Sequence, residues 1–379
     1  MANPTRFPAG ISTYKVKDVL NSFPMVPSPS QVMSLQEFSP YIAGQWTVTS
    51  TTSTIGSGTW NAVAGALIAG YNGGITSLAI TTASGGLAAL TLNGNVATDC
   101  PVQLIPGNQT WFNCQVAHDS NFLGDATVVS RYGLFSNEVT PVGTVVNGVY
   151  FEKKAAAGGA LNLVIKNKGL TGSTVTTTIN NVADISIPSG IYGDTSSTVG
   201  TLTTAGSSNK YTSVVVATAG SGYSQAPLVR TIGANAAAPY AHLYCQQANG
   251  GLYAPYIANI GGTGYTTFTN EVNHWIDLTL YYDGKGTLIA GVNGRVVCRI
   301  GPDGTTALAA AGTATTNSGS FYASNASMTS SIAPVTPAAG SFDLLMPMSP
   351  LAPGLGYLTA TNATNIMFCD SVMVGTEYN

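Results

Sequence analysis

Apolar and polar residues alternate with a period of two along much of this 379-residue chain, and this alternation is the feature that most restricts its fold. Clear examples are residues 46–52 (WTVTSTT), 110–116 (TWFNCQV), 161–166 (LNLVIK) and 275–282 (WIDLTLYY). Such alternation is typical of strands with one buried face. The segments between the runs contain Gly, Asn, Asp and Pro, which favour turns. We therefore predict an all-β fold built from many short antiparallel strands.

Two further features narrow this prediction. Residues 275–300 contain a three-strand meander, in which Asn293-Gly294 suits a type I′ turn because both turn residues need positive φ. Long helical periodicity is nearly absent, and residues 305–311 (TTALAAA) are the one short candidate for a helix beyond the N-terminal stretch. Many short strands with Gly-rich turns indicate a sandwich or a barrel. The other predicted strands are residues 75–82, 88–93, 146–152, 175–179, 287–292, 295–300, 341–346 and 365–374.

The low charge of the chain excludes some classes of partner. Charged residues make up 8% of it, against about 25% in an average soluble domain. Thirteen Lys and Arg against sixteen Asp and Glu give a formal net charge of −3. This balance argues against nucleic acid as a partner, because non-specific binding needs basic side chains that neutralise phosphates. We also expect no membrane partner, since no apolar run reaches the ~18 residues of a spanning helix.

The N-terminal sequence and the cysteines indicate the compartment. The stretch MANPTRFPAG lacks a charged head followed by an apolar core, so we expect no secretory signal and assembly in a host cytoplasm. The five cysteines form no CxxC pair, which favours buried free thiols over a zinc site or a disulfide framework. They are Cys100, Cys114, Cys245, Cys298 and Cys369.

Residues 1–40 are predicted to form an extended N-terminal arm. Six prolines interrupt this stretch, and proline fixes φ and lacks the N–H that a helix or a central strand needs. Apolar side chains are nevertheless spaced along it, so we expect the arm to lie on its own chain or on a neighbouring subunit. The predicted contacts to the shell or a subunit are Phe7, Ile11, Phe23, Met25, Val26 and Phe38.

Residues 194–269 differ in composition from the rest of the chain and contain two Gly-Ser/Thr-Gly-Tyr segments, which begin at Gly220 and Gly262. We predict a small Gly/Tyr-rich β module inserted into a larger sandwich, which comprises residues 41–193 and 270–379. Tyrosines are concentrated in this module, and tyrosine can stack on a sugar, pack a core or contact a subunit. These alternatives stay open. The predicted glycan or interface contacts are Tyr244, Tyr253, Tyr256 and Trp275.

The residues needed for common hydrolytic chemistry are sparse. A retaining glycosidase needs two carboxyl groups about 5–5.5 Å apart, but none of the five glutamates lies two or four residues from another Asp or Glu. The sequence contains no Gly-x-Ser-x-Gly elbow. We therefore predict no catalytic residues, no enzyme activity, no cofactor and no assigned metal ligands. For the loop at residues 118–125, a Ca²⁺ site and a plain Asx-turn both remain open.

The outer parts of the chain resemble the concanavalin A-like, or laminin-G-like, jelly roll of lectins and glucanases. The residues that carry this resemblance are the Trp46 strand, residues 111–116 and 149–153, the W-x-x-L-x-L-x-Y-D-G-x-G-x-L pattern at 275–288, residues 292–296 and the closing strand at 366–374. The resemblance covers about two-thirds of the chain and implies an antiparallel jelly-roll sandwich. In that family the Trp strand and the Asn-Gly hairpin after it form an edge that contacts ligand.

A second resemblance is to virion proteins of tailed bacteriophages. It rests on the opening at residues 3–10, the Pro-Ser-Pro at 27–29, the strand at 41–49 and the Gly-Ser-Gly-Tyr-x-x-Ala-Pro element at 220–227. It implies a capsid decoration or cement protein on the virion surface. The expected partners are the major capsid protein or other virion proteins, together with further copies of this chain, a trimer above all. The alternative is a phage fibre or adhesin module that binds a host surface glycan.

Overall fold

The structure, a computed structural model, contains only β-strands as regular elements within the residues that it describes. These are residues 31–37, 46–50, 61–62, 76–80, 86–92, 102–118, 125–136, 145, 147–153, 161–167, 170–171, 174–175, 180–186, 200–221, 223, 226–231, 242–259, 265–273, 275–300, 306–308, 323–324, 347, 349–360 and 365–377. Within them, no helix is long and apolar enough to cross a membrane.

The strands fall into groups along the chain. The N-terminal ones are β1 (Gln31–Glu37), β2 (Trp46–Ser50), β3 (Asn61–Ala62), β4 (Thr76–Ile80), β5 (Gly86–Leu92), β6 (Gln109–His118), β7 (Val129–Phe135), β8 (Gly148–Lys153), β9 (Leu161–Asn167), β10 (Leu170–Thr171), β11 (Thr174–Val175) and β12 (Asn180–Ser186). The central ones are β13 (Thr201–Ser207), β14 (Lys210–Thr218), β15 (Leu228–Thr231), β16 (His242–Ala248), β17 (Gly251–Asn259) and β18 (Asn270–Asn273). The C-terminal ones are β19 (Trp275–Tyr282), β20 (Leu288–Val292), β21 (Arg295–Ile300), β22 (Thr306–Leu308), β23 (Ala323–Ser324), β24 (Ala352–Thr359) and β25 (Asn365–Glu377).

Two large antiparallel sheets form the body of the molecule. The first has the order β23-β22-β21-β20-β19-β6-β25-β4-β3, and β1 pairs with the second half of β25. The second has the order β12-β9-β8-β7-β24-β5-β2. Consecutive strands of the sandwich change sheet at β1–β2, β2–β3, β4–β5, β5–β6, β6–β7, β23–β24 and β24–β25, so that the chain wraps around the core as in a jelly roll. The predicted all-β antiparallel sandwich is confirmed.

The main core lies between the two sheets, because alternate residues of each strand face inward. The first sheet contributes Phe112, Cys114, Val116, Leu278 and Leu280, among other buried residues. The second sheet contributes side chains that face them from β5, β7, β8, β9 and β24. They include Leu90, Tyr132, Leu134, Val149, Phe151, Leu163, Ile165, Leu355 and Tyr357.

Two strands of the second sheet, β7 and β24, depend on glycine at a close approach between neighbours. A Cβ at Gly133 would lie 2.4 Å from the carbonyl oxygen of Val149, and one at Gly356 would lie 2.7 Å from the Cβ of Ala89. Glycine in a strand interior often marks such an approach. These two strands were not among those predicted, because glycine in a sequence also indicates a turn.

Residues 200–273, which we call the central β unit, form three two-stranded sheets, β13-β14, β15-β18 and β16-β17. They enclose a hydrophobic cluster of their own, which is separate from the main core. Its buried members are Leu202, Tyr211, Tyr223, Val229, Leu243, Cys245, Leu252, Tyr265 and Val272. The exact limits predicted for an inserted module, residues 194–269, stay a prediction.

Three sequence predictions need comment in the light of this fold. The short helix candidate at residues 305–311 is a strand in its described part, because Thr306–Leu308 pairs with β21. The predicted strand at residues 341–346 lies outside the described residues. In the predicted arm, Gln31–Glu37 pairs along its whole length with β25 of the same chain. This part of the arm therefore lies on its own sandwich, as an added edge strand.

Candidate functional site

The structure separates the predicted contact residues into three groups. The six arm residues Phe7, Ile11, Phe23, Met25, Val26 and Phe38 lie outside the described residues. Tyr244, Tyr253 and Tyr256 lie on one hairpin of the central β unit. Trp275 is only 3% exposed, so the structure does not present its ring to a glycan or to a subunit.

The hairpin that bears the tyrosines consists of β16 and β17. Its loop is Asn249-Gly250, with φ of 52° and 77°. Positive φ at both loop residues is the requirement of a type I′ turn, which Asn-Gly meets at low cost. The amide N–H of Gly250 also donates a hydrogen bond to the side-chain oxygen of Gln247 at 3.1 Å. The sequence therefore fixes the turn, and the turn fixes the register at Ala248 opposite Gly251.

A β-bulge in β17 brings its two tyrosines to the same side. In a regular strand, residues three apart point to opposite faces. Here Tyr244 pairs with Tyr256 and Gln246 pairs with Tyr253, so three steps in β17 match two steps in β16. Ala254 has φ of 43°, which is the left-handed conformation of the extra residue. Because Tyr244 and Gln246 share one face of β16, their partners Tyr253 and Tyr256 share it too.

We call Tyr244, Gln246, Tyr253 and Tyr256 the tyrosine face. Tyr253 is 58% exposed and Tyr256 is 44% exposed. The rings of Tyr244 and Tyr256 lie with centroids 5.1 Å apart and planes at 42°. Among the described residues, the exposed large hydrophobic side chains are these two tyrosines and Val215, on β14, which packs beside β17. The tyrosine face is thus an aromatic surface open to solvent.

The opposite face of the same hairpin is anchored in the central β unit. Leu243, Cys245 and Leu252 are buried there. The Cys245 thiol donates to the carbonyl oxygen of Tyr253 at 3.4 Å, next to the bulge. Burial raises the pKa of this thiol, so it remains a neutral hydrogen-bond donor. This hydrogen bond from the buried face of the hairpin therefore stabilises the bulge.

An aromatic cluster holds the rest of the central β unit together. The ring of Tyr211 meets those of Tyr265 and Phe268 edge-on, at centroid distances of 4.9 and 5.2 Å. Tyr223 accepts a hydrogen bond from the Gly200 N–H at 2.9 Å. Tyr223 and Tyr265 are the tyrosines of the two Gly-Ser/Thr-Gly-Tyr segments, and both are buried. These two tyrosines pack the unit, whereas those of the tyrosine face do not.

The central β unit meets the sandwich at a small hydrophobic junction. Leu228 of β15 packs with Ala117, Trp275 and Phe368 of the first sheet, and all four are buried. β18 ends at Asn273 and β19 begins at Trp275. Trp275 therefore anchors the central β unit to the sandwich, and this packing explains its burial.

The loop at residues 118–125, for which the sequence allowed either a Ca²⁺ site or an Asx-turn, ends at Asp125. The Asp125 carboxylate accepts hydrogen bonds from protein donors. Oδ1 accepts from the N–H and the hydroxyl of Thr127, at 2.8 and 2.7 Å. Oδ2 accepts from the Thr359 hydroxyl and the Asn365 amide, both at 3.0 Å. In the described part of the chain, no group of three or more His, Cys, Asp or Glu is placed to hold a metal ion. Residues 119–124 of this loop lie outside the described residues.

His118 and Lys153 are two buried polar side chains of the sandwich that lie near this loop. His118 Nε2 and the Tyr132 hydroxyl are 2.5 Å apart. Burial, with a smaller contribution from the charge of Lys153, lowers the pKa of His118 to about 3. The Lys153 ammonium donates to the carbonyl oxygens of Val128 and Asp125, at 3.0 and 3.3 Å. His118 is therefore neutral near pH 7 and is held as a structural group.

The cysteines described here are buried free thiols. They are Cys114, Cys245, Cys298 and Cys369. Burial raises the pKa of each, to about 12 for Cys298. A raised pKa disfavours the thiolate, which is the reactive form. The expectation of buried free thiols is confirmed for these four residues.

Comparison with known proteins gives fold-level similarity only. No family model matches the sequence, and no curated protein matches it. Similar solved structures include peanut lectin, with 9% identity, a TM-score of 0.32 and coverage of 91% of this chain and 97% of the lectin. An endo-1,3-beta-glucanase from Streptomyces sioyaensis has 10% identity and a TM-score of 0.37, with 93% and 99% coverage.

A third similar structure is a carbohydrate esterase from Shiga toxin-encoding bacteriophage phi24B, with 10% identity, a TM-score of 0.29 and coverage of 91% and 100%. At such scores these similarities carry no argument about what this chain binds. Its strand pairing and its site define it as an antiparallel β-sandwich with a smaller β unit that exposes tyrosines.

Sequence reasoning named the three tyrosines but missed Gln246 and the bulge that orients them. The signal for the bulge was present at residues 252–256 (LYAPY), where two tyrosines are three residues apart and Pro255 interrupts the alternation. Proline within a strand is confined to edges and bulges. A strand that keeps Tyr253 and Tyr256 on one face therefore needs an extra residue between them.

Proposed function

We propose that this chain is a carbohydrate-binding protein that contacts its ligand through the tyrosine face. The observation that carries the proposal is the exposure of Tyr253 and Tyr256 on one side of a hairpin whose other side is anchored in a core. A tyrosine ring offers an apolar surface to the C–H groups of a sugar, while its hydroxyl can hydrogen-bond to the sugar hydroxyls. The bulge is a local distortion, and bulges are found where a side chain must be re-aimed.

A glycan array with the full-length protein is the first test. We expect saturable binding to at least one glycan class, and we expect the double variant Y253A/Y256A to lose at least tenfold in affinity, or about 1.4 kcal/mol. The matched control is V215T, which changes an exposed β-branched residue of the neighbouring β14 that is not a member of the tyrosine face. Equal affinities for wild type, the double variant and the control would contradict the proposed site. No binding to any glycan would contradict the proposed function.

The virion role rests on the sequence resemblance and stays a prediction. That resemblance implies capsid decoration as the function and the major capsid protein as the partner. Cosedimentation with particles that lack the protein tests it, because a decoration protein binds at a fixed ratio to the shell subunits. Sedimentation of the particles without bound protein would contradict the role.

A further inference from the structure

The tyrosine face has an unusual electrostatic setting, which restricts the kind of saccharide that it can hold. The hairpin strands and their loop, residues 242–259, contain no Asp, Glu, Lys or Arg. In the whole central β unit the charged residues are Lys210, Arg230 and Glu271. Lys210 begins β14 at its loop with β13, and Arg230 pairs with Glu271 in the β15–β18 ladder. The two strands of the face therefore offer no Lys or Arg to a ligand, and their one ionisable basic residue is His242, at the start of β16.

Recognition of an acidic saccharide needs Arg or Lys side chains, which the strands of this face lack. Carboxylate and sulfate groups are bound in proteins chiefly by Arg and Lys, through short charge-assisted hydrogen bonds. An acidic sugar on an uncharged aromatic surface would lose hydration of its charge without compensation. A neutral saccharide has no such cost, because its hydroxyls can exchange water for amide and phenol groups.

Gln246 is the member of the face suited to this exchange. It lies directly opposite Tyr253 and is exposed. Cross-strand neighbours have Cβ atoms about 5 Å apart, so the side chains of Gln246 and Tyr253 leave the sheet from adjacent positions. An amide has both a carbonyl acceptor and N–H donors. A sugar stacked on Tyr253 would place its ring hydroxyls within reach of this group.

We propose that the tyrosine face selects neutral over acidic saccharides, and that Gln246 is its specificity-determining residue, which hydrogen-bonds to a hydroxyl of the sugar on Tyr253. This inference rests on the proposed function. It adds the ligand class and one residue to which no role was assigned from the sequence.

Calorimetric titration of the full-length protein tests the ligand class. The neutral probes are the hexaoses of laminarin, cellulose, starch and mannan, and the acidic probes are hexamannuronate and hexagalacturonate. We expect binding of at least one neutral hexaose, with less than a twofold change in affinity between 50 and 500 mM NaCl, because no ion pair is screened. We expect the acidic probes to bind at least tenfold more weakly.

The variant Q246A tests the residue. It should weaken the best neutral ligand about fivefold to tenfold, the effect of one lost hydrogen bond, and leave the far-UV circular dichroism unchanged. The matched control is Q115A, the same change at a half-buried glutamine of the sandwich, which should bind like wild type.

The outcomes separate this inference from the proposed function. Tight, salt-sensitive binding of an acidic probe that Y253A/Y256A abolishes would overturn the ligand class and leave the site standing. Neutral binding that Q246A does not weaken would overturn the role of Gln246. Neutral binding that survives Y253A/Y256A, or no binding to any probe, would overturn the proposed function itself.

Discussion

At the scale of single residues, Asp125 joins segments of the chain that are far apart in sequence. Its carboxylate joins Thr127 to Thr359 and Asn365, which lie more than 230 positions further along the chain. We expect D125A to lower the free energy of unfolding by about 3 kcal/mol, because the donors lose a charged acceptor. Urea denaturation measures this.

The matched control for Asp125 is D283A. The Asp283 carboxylate accepts from the N–H groups of Lys285 and Thr287 in its own loop. Local contacts of this kind are typically worth about 1 kcal/mol. Equal losses in the two variants would show that the long-range contacts of Asp125 do not stabilise the fold beyond an ordinary loop.

His118 gives the sandwich a defined pH dependence. Its pKa is about 3 in the folded protein, against about 6.5 in an unfolded chain. Between these values the unfolded chain binds a proton that the folded protein does not, so the free energy of unfolding falls as the pH falls. The contribution of His118 is complete above pH 6.5 and is lost towards pH 3, at up to about 1.4 kcal/mol per pH unit.

The variant H118Q isolates this effect, since the carboxyl groups that titrate in the same range are common to both proteins. We expect its unfolding free energy to fall less steeply than that of wild type between pH 6 and pH 4, as measured by urea denaturation at a series of pH values. Parallel profiles would show that His118 is already free to take up a proton in the folded state.

At the scale of elements, β1 shows how part of the predicted arm stabilises the sandwich. Its seven residues pair with Ser371–Glu377 of β25, and this pairing closes an otherwise open edge. A protein without residues 1–37 should therefore melt at a lower temperature than one without residues 1–30, by several degrees in a thermal scan. The comparison removes β1 alone. Identical melting temperatures would mean that the β1 ladder adds nothing to stability.

The strands also show which parts of the fold were predictable. β19 and β21 were predicted with the bounds that the structure has, since a strict alternation is bordered there by Asp-Gly and Asn-Gly turns. β7 and β24 were missed, because Gly133 and Gly356 serve close strand approach rather than a turn. Such an approach is a property of the neighbouring strand, and a single sequence does not contain it.

The tyrosine face shows the same division. Tyr244, Tyr253 and Tyr256 were predicted as contacts from composition alone. Trp275 was grouped with them because the resemblance to the concanavalin A-like family implies a ligand edge at the Trp strand, but its position at the junction with Leu228 buries it. Burial depends on how two separate units pack, whereas the pairing of Tyr244 with Tyr256 is set by the turn and the bulge of one hairpin. The turn can be predicted from Asn249-Gly250, but the burial of Trp275 cannot be predicted from the sequence alone.

At the scale of the whole molecule, the insertion of the central β unit into the sandwich stays a prediction, which the contacts between its first and last strands support. The Asn270 amide of β18 donates to the Leu202 carbonyl oxygen at 2.9 Å and to the Thr204 hydroxyl at 3.1 Å, both on β13. The first and last strands of the central β unit are therefore neighbours. Chain ends that lie close together are what allow one folding unit to be inserted into a loop of another.

This arrangement predicts the result of removing the central β unit. A protein in which residues 200–273 are replaced by a short Gly-Ser linker should keep a cooperative thermal transition, because the main core between the sheets has no member from this unit. Its stability should fall by about 2 kcal/mol, since the loss of Leu228 uncovers apolar surface at Trp275 and Phe368. The tryptophan fluorescence should also shift to longer wavelength.

The full-length variant L228A provides the control for that experiment. It opens the same junction without removing the unit, so it should shift the fluorescence in the same direction. It should retain binding of the neutral saccharide, because the tyrosine face lies on the β16-β17 sheet and Leu228 lies on the β15-β18 sheet. A deletion protein with no cooperative transition, beside an L228A variant that folds, would show that the sandwich needs the central β unit to fold. The two units would then form a single cooperative folding unit. The prediction that the central β unit is an insertion into the sandwich would be wrong.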